Sequence, residues 1–223
     1  EREKVGVVGR TGAGKSSLMG VLFRLVEIFK GRILVDGVDI AKVGLRTLRS
    51  RMGIVPQDPV LFSGTVRFNL DPFAKHPDHE MVEVLQKCGL GDVMALDDPV
   101  AEYGGNFSAG QRQLLCMARC LLRKPTLLVL DEATSSVDYT TDQLIQRTIR
   151  TCFKDCTVLT IAHRLHTIAD SDRIMCFDAG KVKNFDTPAA LLENPASVYH
   201  HLVHNSGSDE LLKLAQKDAA EEK

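Results

Sequence analysis

The feature that most constrains the fold is a glycine-rich stretch, GRTGAGKS, at residues 9–16. It follows a short apolar run at Lys4–Val8, which predicts a buried strand, and it opens a segment of helical character at Lys15–Arg24. Glycines between a strand and a helix let the backbone wrap closely around a phosphate group, with N–H groups and the positive end of the helix dipole facing the anion. This pattern in this context predicts a nucleotide phosphate loop rather than a turn without a ligand.

The chemistry of the loop assigns its residues. Lys15 is expected to reach the β- and γ-phosphates of a nucleotide, and the Ser16 hydroxyl is expected to bind magnesium. The predicted phosphate-binding residues are Gly9, Arg10, Thr11, Gly12, Ala13, Gly14, Lys15, Ser16 and Ser17.

Strands and helices alternate along the chain, which predicts an α/β fold with a mostly parallel sheet covered on both faces. A helix is predicted at Thr140–Cys152, and residues 65–122 are predicted to form helices and no strand, as an inserted α-helical subdomain. The strands expected after the first are Arg32–Val35, Gly53–Val55, Leu127–Leu130, Thr157–Ile161, Arg173–Phe177 and Lys181–Phe185.

Two further groups follow predicted strands. Asp131 and Glu132 end the apolar strand at 127–130, where Asp131 is placed to hold magnesium and Glu132 to orient or deprotonate an attacking water. His163 follows the strand at 157–161, and ligands gather beyond the carboxyl ends of parallel strands, so it is a candidate hydrogen-bond donor to the γ-phosphate. Gln57 by itself is a polar residue in a loop.

Composition excludes several classes of protein. The net charge is −1 over 223 residues, which does not favour a nucleic-acid-binding surface. No apolar run approaches the roughly 18–20 residues of a membrane helix. Six cysteines without zinc-site spacing predict reduced thiols that lie mostly in the core. The histidines at 200, 201 and 204 predict a solvated helix face rather than a metal site.

The ordered set GRTGAGKSS, VPQD, FSAGQRQ, LLVLDEATSSVD and IAHR resembles the nucleotide-binding domain of ABC transporters over nearly the whole chain. FSGTVRFNLDPF at residues 62–73, with Glu132 intact, is similar to the second, catalytically competent domain of a subfamily C, multidrug-resistance-associated exporter. The resemblance implies a RecA-like P-loop NTPase core at about 1–62 and 123–205, a helical signature subdomain at about 63–122, and a charged tail at 206–223.

The resemblance also implies roles for individual residues. Gln57 is similar to the glutamine that touches magnesium or the attacking water and couples to the membrane domain, and His163 to the switch histidine. Glu102 is similar in position to residues that contact the coupling helices. Asp138 is similar to a residue that crosses the dimer interface. The signature residues implied to cap the γ-phosphate of an ATP held by a partner domain are Ser108, Gly110 and Gln111.

The implied function is ATP hydrolysis, with ATP and Mg²⁺, that powers export by head-to-tail dimerisation with a second nucleotide-binding domain, in the same polypeptide or in an identical chain. The other implied partners are transmembrane domains, and the implied location is the cytoplasmic face of a membrane, with no nucleic acid bound. Two alternatives stay open: a dimerising regulatory module with little turnover, and a soluble ABC ATPase without a transport role. Intact Glu132 and His163 argue against the regulatory module.

Two departures from the family pattern bear on affinity. Phe107 and Ala109 stand where the usual signature has leucine and glycine, although alanine is still small enough for close backbone approach to phosphate. The eight residues before Gly9 lack the aromatic residue on which the family stacks adenine. We therefore expect the chain to be a fragment that binds ATP more weakly than a complete domain.

Overall fold

The structure is a computed structural model that describes residues 2–133, 137–162 and 164–206. Within these residues the strands are β1 (Lys4–Gly9), β2 (Leu34–Val35), β3 (Val38–Asp39), β4 (Met52–Val55), β5 (Gly64–Thr65), β6 (Pro99–Val100), β7 (Leu127–Asp131), β8 (Thr157–Ile161), β9 (Arg173–Asp178) and β10 (Lys181–Asp186). The α-helices in the same residues are α1 (Lys15–Leu22), α2 (Leu45–Ser50), α3 (Val66–Leu70), α4 (Asp78–Lys87), α5 (Ala109–Arg123), α6 (Tyr139–Cys152), α7 (Pro188–Glu193) and α8 (Val198–Ser206).

The chain divides into two compact units. The first contains residues 3–52 and the chain from residue 157 onward, and the second contains residues 53–156. The predicted boundaries of the helical subdomain, at about 63 and 122, stay a prediction.

The first unit is built around β1. This strand runs parallel to β8 on one side and to β9 on the other, and β10 adds an antiparallel edge to β9. Val5, Val7 and Val8 are buried, because a parallel strand covered on both faces has no solvent-facing side. The α/β class with a mostly parallel sheet is therefore confirmed.

One hydrophobic cluster of the first unit lies under α7 and α8. Tyr199 of α8 is fully buried there, and burial raises the pKa of its hydroxyl to about 12. The other members of the cluster are Val8, Ala162, Ile168, Ala169, Ile174, Cys176, Leu191 and Val203. This cluster fixes the strand that leads into the glycine-rich loop.

An ion pair fastens the outer part of the same sheet. Arg173 on β9 donates from Nε and Nη2 to the carboxylate of Glu3, just before β1, and its guanidinium lies 4.0 Å from the centroid of the Phe185 ring on β10. The hydrogen bonds from Arg173 hold the pKa of the Glu3 carboxyl below its ordinary value of 4.5.

The second unit combines β4 and β7 with helices α3 to α6. Helix α5 packs against α3, α4 and α6, and its buried residues include Leu114, Leu115 and Met117. Helix α5 is therefore the element on which the other helices of this unit assemble.

Three local predictions need correction. Gly64–Thr65 pairs with Pro99–Val100, so the segment predicted to contain no strand holds a short ladder. Two-residue strands are too short to leave a periodic signal. Strand β3, which pairs with β2 across Asp36-Gly37, was also not predicted. Helix α1 ends at Leu22 rather than Arg24, because Arg24 has a left-handed backbone with φ of 48°.

The structure also shows how deeply the cysteines and the histidines of α8 are buried. Five of the six cysteines are buried and Cys152 is half-buried, which confirms that they lie mostly in the core, and their reduced state stays a prediction. Of the histidines on α8, His201 and His204 are exposed as predicted, whereas His200 is half-buried with its Nδ1 2.7 Å from the Leu192 carbonyl oxygen.

Candidate nucleotide-binding site

The glycine-rich loop lies between β1 and α1 in the first unit. A Cβ atom on Gly9 would lie 2.4 Å from the backbone oxygen of Phe177, so no larger residue fits where the loop leaves the strand. Gly14 has φ of 109°, in the region that favours glycine, at the point where the loop enters the helix. The sequence folds locally into a tight loop because glycine stands at both ends.

Lys15 is the charged group of this loop. Its side chain is buried, and its Nζ donates to the carbonyl oxygens of Gly9 and Arg10 at 2.7 and 3.3 Å. Both acceptors are neutral backbone oxygens, so these two hydrogen bonds bring no negative charge to the ammonium group. This places a buried positive charge where the sequence predicts the phosphates of a nucleotide.

The start of α1 adds a second feature that favours an anion. The N-cap residue, Gly14, has no side chain to accept hydrogen bonds from the first turn, and the first turn contains no acidic residue. The N–H groups of that turn have no partner within the helix, and the helix dipole places partial positive charge there. Ser16 and Ser17 are exposed at this end, so the Ser16 hydroxyl is accessible to a metal ion bound with phosphate.

Asp131 and Glu132 lie at the end of β7 in the second unit, as predicted. Residues 128–130 of that strand are at most 1% exposed, and the two carboxylate residues are half-buried. Glu132 has φ of 48°, a left-handed conformation that is costly for a residue with a Cβ. Backbone strain of this kind concentrates at functional sites, which supports a specific role for the Glu132 carboxylate.

Gln57 lies two residues beyond the end of β4, and its side chain is exposed. Its backbone oxygen accepts a hydrogen bond of 2.8 Å from Nε2 of Gln113, a residue of α5 that the sequence reasoning missed. The signal for Gln113 was present, since a glutamine within the buried stripe of an amphipathic helix needs polar partners in the core.

The second turn predicted to bind an anion is the N-terminus of α5. Ser108 is its N-cap: Oγ accepts from the N–H of Gln111 at 3.2 Å, and Oε1 of Gln111 accepts from the N–H of Ser108 at 2.8 Å. Each of the two predicted phosphate-binding side chains therefore accepts from the backbone N–H of the other residue, which is a capping box. These two bonds use only acceptor oxygens, so the Ser108 hydroxyl and the Gln111 Nε2 group can still donate to a phosphate while the capping box stays intact.

The same turn is held against the start of α6. A Cβ on Gly110 would lie 2.3 Å from Cγ2 of Thr141, so the helices approach closely at that point. Thr141 donates from its hydroxyl, at 2.7 Å, and from its N–H, at 3.0 Å, to the carboxylate of Asp138. These bonds lower the pKa of Asp138. The second unit thus brings the signature turn and Asp138 together through Thr141.

The predicted site residues fall into separate groups. The nine residues of the phosphate loop lie in the first unit, and Gln57, Asp131, Glu132, Asp138 and the signature turn lie in the second. His163 and the tail at 207–223 lie outside the described residues. Serine hydroxyl, carboxylate and glutamine oxygens are the kind of ligand that magnesium prefers, so these residues fit a magnesium–nucleotide ligand by chemistry.

Comparison with known sequences agrees with this reading of the residues. The sequence profile described as "ABC transporter" matches residues 1–135, more than half of the chain. The chain belongs to the ABC transporter family. ABC transporter C family member 3 of Dictyostelium discoideum is 56% identical to it over 96% of this chain and 16% of that protein. C family member 9 of Arabidopsis thaliana is 52% identical over 94% of this chain and 15% of that protein.

A solved structure supports the same family. The structure of a bacterial Atm1-family ABC exporter with ATP bound superposes with a TM-score of 0.85 and 36% sequence identity, over 93% of this chain and 38% of that chain. The fold is therefore that of a P-loop NTPase domain of an ABC exporter, as predicted.

The matched relatives are much longer than this chain, which spans about a sixth of the curated C family proteins. Among the described residues of this ABC transporter family member, none of the helices has the length and apolar character needed to cross a membrane.

Proposed function

We propose that this chain binds ATP with magnesium and hydrolyses it as the ATPase domain of a C-family membrane exporter. The observation that carries the proposal is the buried Lys15 ammonium inside a glycine-bounded loop, at a helix start that no side chain caps. That arrangement is suited to the triphosphate of a nucleotide and has no evident purpose in a purely structural turn.

The proposed mechanism assigns one task to each group. Residues 9–17 bind the phosphates, and Ser16, Asp131 and Gln57 hold the magnesium ion, which supplies charge neutralisation on the β- and γ-phosphates when it is bound. Glu132 orients the attacking water and accepts its proton, while His163 donates a hydrogen bond to the γ-phosphate. Catalysis rests on positioning and charge stabilisation, because phosphoryl transfer needs little covalent chemistry from the protein.

The second anion-binding turn is proposed to act on another nucleotide. Ser108, Gly110 and Gln111 would cap the γ-phosphate of an ATP held by a partner nucleotide-binding domain, with Asp138 at the interface between them. Each ATP then contacts two domains, so nucleotide binding stabilises the closed dimer and loss of the γ-phosphate weakens it. Opening and closing would drive attached transmembrane domains.

The names of the relatives support the transport role. Each of the C family proteins to which the chain is 52–57% identical is described as an ABC transporter, which favours an exporter over a soluble ATPase without a transport role. Residues 62–73 with Glu132 favour the second of the two ATPase domains in such a protein. By analogy with the subfamily, we propose amphipathic anions such as thiol conjugates as cargo, selected by the membrane domains.

ATP binding and steady-state hydrolysis by four forms of the chain test the proposal. Lys15→Met removes the loop charge, so ATP affinity should fall at least roughly tenfold. Glu132→Gln should keep ATP affinity and lower turnover roughly 100-fold or more, because a general base is lost. Lys183→Met, at an exposed lysine of β10, is the matched control and should change neither quantity.

Two results would count against the proposal. Turnover that survives Lys15→Met would show that residues 9–16 do not hold the reacting nucleotide. Tight ATP binding by the unaltered chain without any hydrolysis would favour the regulatory module.

A further inference from the structure

A buried amide ties the Gln57 segment to helix α5. Gln113 is 3% exposed, and its Nε2 donates to the carbonyl oxygens of Pro56 and Gln57 at 3.0 and 2.8 Å. Both N–H bonds of the amide are therefore used on adjacent backbone carbonyls more than fifty positions earlier in the chain. An apolar side chain at this position would leave two carbonyl oxygens without their donor.

Two other residues of α5, Arg119 and Cys120, contact backbone oxygens on either side of Gln57. Cys120 Sγ lies 3.4 Å from the Ile54 carbonyl oxygen, and Arg119 donates to the carbonyl oxygens of Val60 and Asn69 at 3.2 and 2.7 Å. The segment from residue 54 to residue 69 is thus attached to one helix through its backbone, and Gln113 supplies the attachment at Gln57.

Gln113 lies close to the N-terminal turn of α5, so it connects the Gln57 backbone to that turn. Gln113 lies one turn beyond the capping box formed by Ser108 and Gln111, in the same stretch of helix. A helix of this length is stiff over a single turn, so its N-terminal turn and the backbone of Gln57 keep a fixed relation to each other. Without the Gln113 amide, the Gln57 backbone would no longer be held in a fixed position relative to that turn.

We propose that Gln113 is a positioning residue, which fixes the Gln57 backbone relative to the turn at Ser108–Gln111 so that the two move as one element. The inference rests on the proposed function, in which Gln57 contacts magnesium or the attacking water and the turn contacts the partner's nucleotide. A change in the turn on ATP binding by a partner domain would then be transmitted to Gln57 through one side chain.

The amide of Gln113 also has a property expected of a positioning group. Among the described residues its Oε1 is buried without a hydrogen-bond partner, so the orientation of the amide is decided by the two carbonyls that accept from Nε2. The group thus serves the Gln57 segment and no second partner within that part of the chain.

Gln113→Met tests the inference, because methionine has the same unbranched length, packs well in cores and cannot donate. Gln143→Met is the matched control, since Gln143 is an exposed glutamine on α6. Hydrogen exchange should become at least roughly fivefold faster at the amides of Gln57, Asp58 and Val60 in Gln113→Met and stay unchanged in the control.

Kinetics then separate positioning from a general loss of stability. Gln113→Met should lower kcat for ATP hydrolysis roughly tenfold or more while KM for ATP changes less than about twofold. In a Gln57→Ala background the same change should lower kcat by less than about twofold, because the group through which Gln113 acts is already absent.

The results that would overturn the role of Gln113 differ from those that would contradict the proposed ATPase function. Unchanged exchange at residues 57–60 in Gln113→Met would overturn the inference whether or not the chain hydrolyses ATP. Faster exchange combined with equal losses of kcat in the two backgrounds would also overturn it, since Gln113 would then act independently of Gln57. Absence of hydrolysis by the unaltered chain would contradict the proposed function, while the exchange experiment would still decide the attachment.

Discussion

At the scale of single residues, two glycines mark places where this molecule has no room for a methyl group. Gly9 faces a backbone oxygen at the exit of β1, and Gly110 faces the side chain of Thr141 where α5 meets α6. Both positions belong to predicted anion-binding turns. The glycines of these turns are therefore required by packing of the chain on itself, in addition to any ligand.

The contact at Gly110 leads to a prediction about stability. Gly110→Ala should lower the free energy of unfolding by about 1–3 kcal/mol, because the new Cβ would overlap Cγ2 of Thr141 and force the helix ends apart. Thr141→Ser removes that methyl group and keeps the hydroxyl that donates to Asp138, so the double variant should recover a large part of the loss. The free energy of unfolding is measured by urea unfolding, monitored by circular dichroism, for the unsubstituted chain, Gly110→Ala, Thr141→Ser and the double variant.

Gly105→Ala is the control for this prediction. Gly105 has φ of −62°, and a Cβ there would lie 3.4 Å from its nearest neighbour, an ordinary contact distance. Its effect should be within about 0.5 kcal/mol. Equal losses in Gly110→Ala with and without Thr141→Ser would show that the methyl overlap is not the cause.

At the scale of elements, helix α5 carries most of the predicted function of its unit. Its first turn is the signature turn, its second turn holds the Gln57 backbone, and its buried stripe supports α3, α4 and α6. The capping box makes the first turn stable without a ligand. A substitution that keeps the cap but reverses the affinity for anions can therefore separate stability from function.

Ser108→Asp makes that separation. Aspartate is as good an N-cap as serine and interacts favourably with the helix dipole, so the free energy of unfolding should change by less than about 0.5 kcal/mol. Its carboxylate would repel the γ-phosphate of a partner's ATP, so ATP-dependent dimerisation, followed by light scattering in a Glu132→Gln background, should be lost.

Ser108→Ala provides the comparison. Loss of the cap should cost about 1 kcal/mol of stability, while the backbone N–H groups of the turn remain to bind phosphate, so dimerisation should be weakened and not abolished. ATP-dependent dimers of Ser108→Asp at the level of the unsubstituted protein would contradict the role of this turn.

The elements that the sequence predicted well share one property. Strands β1, β7 and β8 are short segments rich in apolar residues, and α6 has an apolar stripe along its length, so their patterns are strong. The ladders β2–β3 and β5–β6 have two residues per strand and depend on turns and tertiary contacts, so no pattern marks them. The end of α1 is set by Arg24, whose guanidinium donates to the carbonyl oxygens of Ile40 and Val43.

At the scale of the whole molecule, the sequence marks candidate site residues more clearly than it marks the contacts that support them. Motif residues were recognisable because phosphate and magnesium chemistry restricts both residue type and spacing. The sequence indicates that Gln113 needs polar partners in the core but does not identify them, and nothing in the sequence marks the contact of Thr141 with Gly110, because these partners are distant in sequence. Such partners become visible only when the fold brings them together.

In the proposed mechanism, two nucleotide-binding domains share each nucleotide. If Ser108, Gly110 and Gln111 contact an ATP that another domain holds, then blocking hydrolysis should trap a closed pair. Glu132→Gln is the variant to use, since it should retain ATP binding while removing the general base.

The measurement is the mass of Glu132→Gln by light scattering, with ATP and magnesium, with ADP and magnesium, and without nucleotide, alongside Glu132→Gln/Lys15→Met. We expect the mass to double only with ATP and magnesium, and not to change in the double variant, because the loop that holds the nucleotide is disabled there. A mass that stays that of one chain while ATP is bound at saturation would contradict the proposed mechanism.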